Sequence, residues 1–166
     1  ISDNFQAMFK RLFGGGRAEL SLSDPDDILN SGIEILAQPP GKNMSTLSLL
    51  SGGERSMTAV ALLFATYQVN HSPFCILDEI DAALDDRNIG YFLDVLQDFA
   101  RDSQFIIITH NTHTVTGGNS MLGVSQMEPG VSTAVGYRIA SISGQPRILN
   151  DEGESVEFDE EGRRKE

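Results

Sequence analysis

Two short, wholly apolar runs constrain this chain more than anything else in it. FCIL at 74–77 stops at Asp78-Glu79, and FIIIT at 105–109 stops at His110. Between them, from Arg87 onward, Ile89, Phe92, Leu93, Leu96 and Phe99 recur on one helical face. Strand, helix and strand with short joints predict a βαβ unit with central parallel strands, because a parallel return needs a crossover and the helix supplies it. Parallel strands end together, so Asp78, Glu79 and His110 fall on one rim. Ligands of open α/β sheets bind at such rims.

The rest of the pattern adds elements around that unit. ISDNFQAMFKRLF carries Phe5, Met8, Phe9, Leu12 and Phe13 at the spacing of an amphipathic helix, which Gly14-Gly15-Gly16 ends. AELSLS and GIEILA alternate like half-buried strands and read as an antiparallel pair around the turn-rich DPDD, closed by Pro39-Pro40. In LSLLSGGERSMTAVALLFATY (47–67), Ser51 with Glu54 three residues on is a capping box, and Met57, Val60, Ala61 and Phe64 sustain a mostly buried helix. The stretch 121–142 is glycine-punctuated and leans to strand.

Charge and composition exclude several classes. The formal net charge of −12 argues against a general nucleic-acid-binding surface, since phosphate contact relies on Lys and Arg. DEGESVEFDEEGRRKE, from Asp151, holds eight acids and three bases, a net of −5. With few apolar residues and no period, 150–166 reads as an acidic, disordered tail. No run of about eighteen apolar residues predicts a membrane span. The single cysteine, Cys75, excludes an internal disulfide framework and suits a reducing cytoplasm.

The rim residues have a coherent chemistry. Asp78, an acid at the end of an apolar strand, can hold Mg²⁺ directly or through water. Glu79, on the other side of the extended chain, can polarise a water for attack on a phosphoryl group. His110, one strand over, can donate a hydrogen bond to that phosphate or orient the same water. The helix start after Ser51 offers free N–H groups and a favourable dipole to an anion, and Gly52 and Gly53 let a phosphate come close. One part of a nucleotide triphosphatase is missing: no G-x-x-x-x-G-K-[ST] occurs, and the GGGRAELS cluster has the wrong spacing.

That gap gives weight to a family resemblance. LLSGGER resembles the ABC-type signature motif, FCILDE a Walker B strand with its glutamate, AALDD (82–86) a D-loop, and IIITHN (106–111) a switch-histidine segment. Their order is similar to the C-terminal half of an SMC-type head, whose Walker A lies in a separate N-terminal half across a coiled coil. FKRLFGGGRAEL, SGIEILAQPPGK and GVSQMEPGVS resemble what bacterial chromosome-segregation SMC proteins carry.

The resemblance implies an α/β fold: the C-terminal lobe of an ABC-type ATPase head, with mostly parallel core strands, flanking helices and a small antiparallel part. Residues 1–13 would be the end of a coiled-coil arm, 14–149 the head lobe and 150–166 the tail. It implies that Ser51, Gly52, Gly53 and Glu54 meet the ATP of an opposing head. Asp78 would assist Mg²⁺, Glu79 would be the general base and His110 would contact the γ-phosphate, while Ala83, Leu84 and Asp85 form the D-loop that touches the partner. The implied partners are the N-terminal lobe, a second identical head, the winged-helix domain of a kleisin, and DNA through the full complex, all in the cytoplasm at the nucleoid. A RecN-like DNA-repair ATPase head and a partner-binding module without hydrolysis are the alternatives. In the family a short helix follows the histidine; here NTHTVTGGNSML, with Gly117-Gly118, argues against one.

Overall fold

Helix α1 (Ser2–Phe13) buries the stripe its spacing predicts, with Phe5, Met8, Phe9 and Leu12 each at most 3% exposed. It ends at Gly14 in the left-handed conformation, and Gly15 N–H donates to the Lys10 carbonyl at 2.8 Å. Lys10 and Arg11 in its last turn suit the negative end of the helix dipole. The structure is a computed structural model; it describes residues 1–142, 144–158 and 165. It divides into two units, Ile1–His110 and Asn111–Glu166.

In the first unit β1 (Arg17–Leu22) pairs antiparallel with β2 (Ile33–Gln38), from Arg17 opposite Gln38 to Leu22 opposite Ile33. A two-residue strand, β3 (Ser45–Thr46), adds to β2. A 3₁₀ turn at Leu47–Leu49 then leads into α2 (Gly52–Tyr67). Next come β4 (Phe74–Asp78), α3 (Asp86–Phe99) and β5 (Gln104–Ile108). Strands β4 and β5 are parallel and in register from Phe74 opposite Gln104 to Asp78 opposite Ile108.

One core joins these elements. Met57, Val60, Ala61, Phe64 and Ala65 of α2 pack with Ile89, Phe92, Val95 and Leu96 of α3 and with the buried face of α1. The Phe64 ring stacks on Phe99 at 5.1 Å and lies 6.4 Å from Phe105 of β5, so α2 covers one face of the parallel pair. Burying a large apolar side chain contributes about 1.5–3 kcal/mol, which makes the four fully buried phenylalanines, Phe5, Phe9, Phe64 and Phe92, the main determinants of this packing.

The opposite face of β4–β5 is open. Phe74, Ile76, Ile106 and Ile108 are 55%, 57%, 45% and 52% exposed. The alternation of exposed and covered residues along both strands replaces the burial on both faces that central parallel strands predict.

In the second unit Asn111 caps α4 (Thr112–Thr116), its side-chain oxygen accepting from the backbone N–H of His113 and of Thr114. The glycine pair therefore stops this helix without preventing it. Strands β6 (Ser120–Glu128), β7 (Val131–Ile142), β8 (Gln145–Leu149) and β9 (Ser155–Val156) follow in sequential antiparallel order.

The expectation of mostly parallel core strands is thus corrected: among the described residues β4–β5 is the parallel pair, and the other two sheets are antiparallel. The cause is connection length. A parallel return needs about a dozen residues or more; the joints β6–β7 and β7–β8 have two residues each, and the β1–β2 joint, residues 23–32, carries no crossover helix. The fold class is accordingly mixed α/β. The acidic end also differs from a wholly disordered segment: Val156 is 6% exposed, and Asn150 Oδ1 accepts from the N–H groups of Glu152 and Glu154. Residues 159–164 and 166 of that stretch lie outside the described residues.

Candidate active site

The parallel register delivers the rim. Asp78 is the last residue of β4, on the exposed face, and Glu79 N–H donates to the Ile108 carbonyl at 2.9 Å, extending the ladder one step. There the chain turns sharply: Glu79 has φ of 46°, in the left-handed region that a side chain disfavours. His110 leaves β5 two residues past the last ladder residue. Its Nδ1 lies 3.9 Å from Glu79 Oε1, with the two side chains 76% and 63% exposed. That distance is within ion-pair range for a protonated imidazole and too long for a hydrogen bond.

A buried carboxylate that the motif spacing does not mark holds this edge together. Asp81 is 2% exposed, and its Oδ2 accepts from the Thr109 hydroxyl at 2.7 Å. It thereby ties the loop after Glu79 to the residue before His110. Two further backbone bonds, Ala82 N–H to the Glu79 carbonyl and Leu84 N–H to the Asp81 carbonyl, wind that loop into consecutive turns.

The loop ends in a second cluster. Asp85 caps α3, accepting from Asn88 N–H at 2.8 Å. Ser51 caps α2 as its spacing predicts: its Oγ accepts from Glu54 N–H at 3.4 Å and donates to Glu54 Oε2 at 2.9 Å, while its own N–H donates to the same oxygen at 3.0 Å. Lys42 binds both oxygens of Glu54, at 2.8 and 3.0 Å. That ammonium contact, reinforced by the Ser51 hydrogen bonds and opposed by burial, holds the Glu54 carboxyl below the ordinary carboxylate range.

The two glycines differ in their reasons. A Cβ at Gly53 would lie 3.1 Å from the Ala83 carbonyl, so this glycine seats the start of α2 against the loop that carries Ala83, Leu84 and Asp85. A Cβ at Gly52 would meet nothing within 4 Å, so packing within the described residues does not require glycine there.

The sequence-identified residues therefore gather into two groups. Asp78, Glu79 and His110 occupy the rim. Ser51, Gly53, Glu54, Ala83 and Asp85 line a depression of about 450 Å³ together with Arg87 and Tyr91, and the rim residues do not line it. A larger depression, about 590 Å³, is lined by Asn4, Arg11, Gln68, His71, Asp98, Phe99 and Asp102 and holds none of the motif residues. For a metal, no group of three His, Cys, Asp or Glu gathers among the described residues. Asp78 is a single exposed carboxylate, which suits Mg²⁺ only as a partial site, because this ion keeps waters and takes its other oxygens from substrate phosphates. Asp81, Lys42 and Arg87 carry no sequence signal of their own. Their roles arise from contacts across 12 to 28 residues or from a shared depression.

This mixed α/β fold is that of an SMC-type head. A family model described as RecF/RecN/SMC N terminal domain matches residues 21–133, and the chain belongs to that family. Within it, the chain is head-domain material of the bacterial SMC chromosome-partition type. It is 50% identical over 139 residues to the chromosome partition protein Smc of Bacillus subtilis, a match covering 84% of this chain and 12% of the relative. The chain spans about 12% of the length of the curated relatives it matches. A solved structure described as bearing on ATP-driven dimerization and DNA-stimulated activation of SMC ATPases superposes with a TM-score of 0.75 at 38% identity, covering 81% of each chain. An Smc head bound to the C-winged helix domain of ScpA superposes with a TM-score of 0.76 at 39% identity, covering 82% of this chain and 42% of that one.

Proposed function

We propose that this chain is the C-terminal lobe of an SMC-type ATPase head that hydrolyses ATP between two engaged heads in chromosome condensation and segregation. The family takes its description from an N terminal domain. The order of motifs here, signature helix, then strand with paired acids, then histidine, with no phosphate-cradling glycine-lysine loop, supports the C-terminal assignment. The observation that carries the reading is the separation of the two groups: the signature residues line one depression and the rim residues do not. A lobe that serves its own nucleotide with Asp78 and Glu79 and another head's nucleotide with Ser51 has this layout.

The chemistry follows from the side chains. Ser51 Oγ and the backbone N–H groups at the start of α2 receive the γ-phosphate of the opposing head's ATP, and bare Gly52 lets it approach. Glu79 accepts a proton from the attacking water as its oxygen bonds to the γ-phosphorus and the bond to the β–γ bridging oxygen breaks, releasing ADP. His110 orients the γ-phosphate or that water from the adjacent strand. Asp78 would hold Mg²⁺ in part, and the ion would supply positive charge against the phosphate oxygens. Ala83 and Asp85 face the second head; Leu84, 8% exposed and part of the core, anchors their loop instead of touching the partner.

The open face of β4–β5 is covered by the N-terminal lobe. ATP-driven dimerization of heads and binding of the ScpA winged-helix domain, both described for similar SMC heads, extend to this chain with an identical head and a kleisin as partners. DNA is engaged through the full complex at the nucleoid.

The test joins this lobe to its N-terminal lobe and follows ATP turnover and mass by light scattering. Glu79→Gln is expected to lower turnover by about 10²-fold or more and to accumulate an ATP-dependent dimer, which Ser51→Arg abolishes. Unchanged mass and turnover in both variants would overturn the reading.

A further inference from the structure

The depression beside Ser51 holds a cation that no motif accounts for. Three basic side chains surround the start of α2, and two are engaged. Lys42 is bound to both oxygens of Glu54. Arg55 donates to the backbone carbonyls of Ser48 and Leu50. The third, Arg87 in the first turn of α3, lines the same depression as Ser51, Gly53 and Asp85. It donates to the Tyr91 hydroxyl at 3.3 Å, its guanidinium carbon lies 5.8 Å from the Tyr91 ring centre, and the Asp85 carboxylate acts on it through space without a direct ion pair.

Tyr91 is itself half-buried and fixed. Its hydroxyl would lie 3.3 Å from a Cβ placed on Gly14, so the ring is wedged against the end of α1. An arginine propped on a fixed aromatic ring loses less conformational freedom when it takes up a ligand than one on an unsupported stem.

The chemistry of the depression asks for such a group. Ser51 and the backbone N–H groups beside it are uncharged donors, and the two carboxylates lining it, Glu54 and Asp85, disfavour an anion. Lys42 offsets Glu54, and the Asp85 side chain is turned to the N–H of Asn88. Among the described residues lining the depression, Arg87 is the one cation.

We propose that Arg87 is a further nucleotide-positioning residue: its guanidinium, propped by Tyr91, binds the triphosphate that an opposing head presents to Ser51. This rests on the two-head reading above. Arginine suits the role because its planar fork meets two phosphate oxygens at once, which a lysine cannot do.

The experiment uses the full-length protein in the Glu79→Gln background. It measures the ATP concentration that half-saturates dimer formation by light scattering, and ATP affinity under dilution where only monomers exist. Arg87→Ala is expected to raise the half-saturating concentration about tenfold or more, with monomer affinity unchanged and Arg87→Lys recovering part of the loss. Arg87 is exposed at the surface, so an unchanged melting curve confirms that the variant folds. Dimerisation at the ATP concentration of the parent overturns the assignment, and so does a loss of affinity already present in the monomer. Ser51→Arg in the same background separates the two readings. If it still dimerises with ATP, the two-head reading fails whatever Arg87 does; if it is dead while Arg87→Ala is normal, only the Arg87 assignment fails.

Discussion

Glu79 is the one non-glycine described residue with φ in the left-handed region, at 46°. For a residue with a Cβ that conformation costs roughly 1–2 kcal/mol, and it persists because neighbours over-determine it. Here its N–H is bound to the Ile108 carbonyl and its own carbonyl to Ala82 N–H. The strain sets the carboxylate at the rim beside His110 while Asp78 finishes the strand. Replacing Glu79 by Gly or by Ala removes the carboxylate equally, but only Gly relieves the backbone. Glu79→Gly is expected to exceed Glu79→Ala by about 1 kcal/mol in urea unfolding, with both inactive. Equal midpoints would mean that the turn carries no strain. At this scale the strand-end acids and the histidine were legible, because a polar residue closing an apolar run needs no tertiary information. Asp81 was not: nothing in IDAALDD distinguishes an acid that is buried and bound to Thr109 from its exposed neighbours.

Among elements, those with a local cause were readable and those with a distant one were not. The α1 stripe, the Ser51–Glu54 capping box and the antiparallel pairing of β1 with β2 are written in nearby residues, and each is present, though burial along β2 does not alternate as its sequence suggests. The antiparallel β1–β2 pair was legible, but the balance of sheet type was misjudged: the βαβ unit was taken as the centre of a mostly parallel core, and the antiparallel strands after residue 119 were not counted against it. Helix α4 was missed because Gly117 and Gly118 drew notice while the cap, Asn111, did not. The α2 start also carries a pH signature. The Lys42 ammonium holds the Glu54 carboxyl below its ordinary value of 4.5, so the contact stabilises the fold above that value and is lost as pH falls through the lowered one. The pair is partly exposed, and its contribution is below about 1 kcal/mol. Lys42→Ala is therefore expected to lower stability slightly at pH 7 and to flatten its decline below pH 4.5, followed by thermal unfolding across that range. A parallel decline in parent and variant would remove Lys42 as the cause.

At the scale of the whole molecule, the open face of β4–β5 is the feature that an isolated chain explains least. Phe74, Ile76, Ile106 and Ile108 stand on one side of two parallel strands, and their register places them side by side. Parallel strands are ordinarily covered on both faces, and contiguous exposed apolar side chains mark contact surfaces. On the other side Leu77, 5% exposed, belongs to the core. The two faces can therefore be probed separately. Ile76→Lys with Ile106→Lys places charge only on the open face. The pair is expected to change this lobe's own stability by about 0.5 kcal/mol per substitution or less. The same pair is expected to abolish its assembly with the separately expressed N-terminal lobe, read as mass by light scattering after gel filtration. Leu77→Ala is expected to act the other way, lowering stability by about 2–5 kcal/mol, because it opens a cavity beneath the sheet. Assembly that survives both lysines would show that the N-terminal lobe meets this one elsewhere, and the open face would then need another cover.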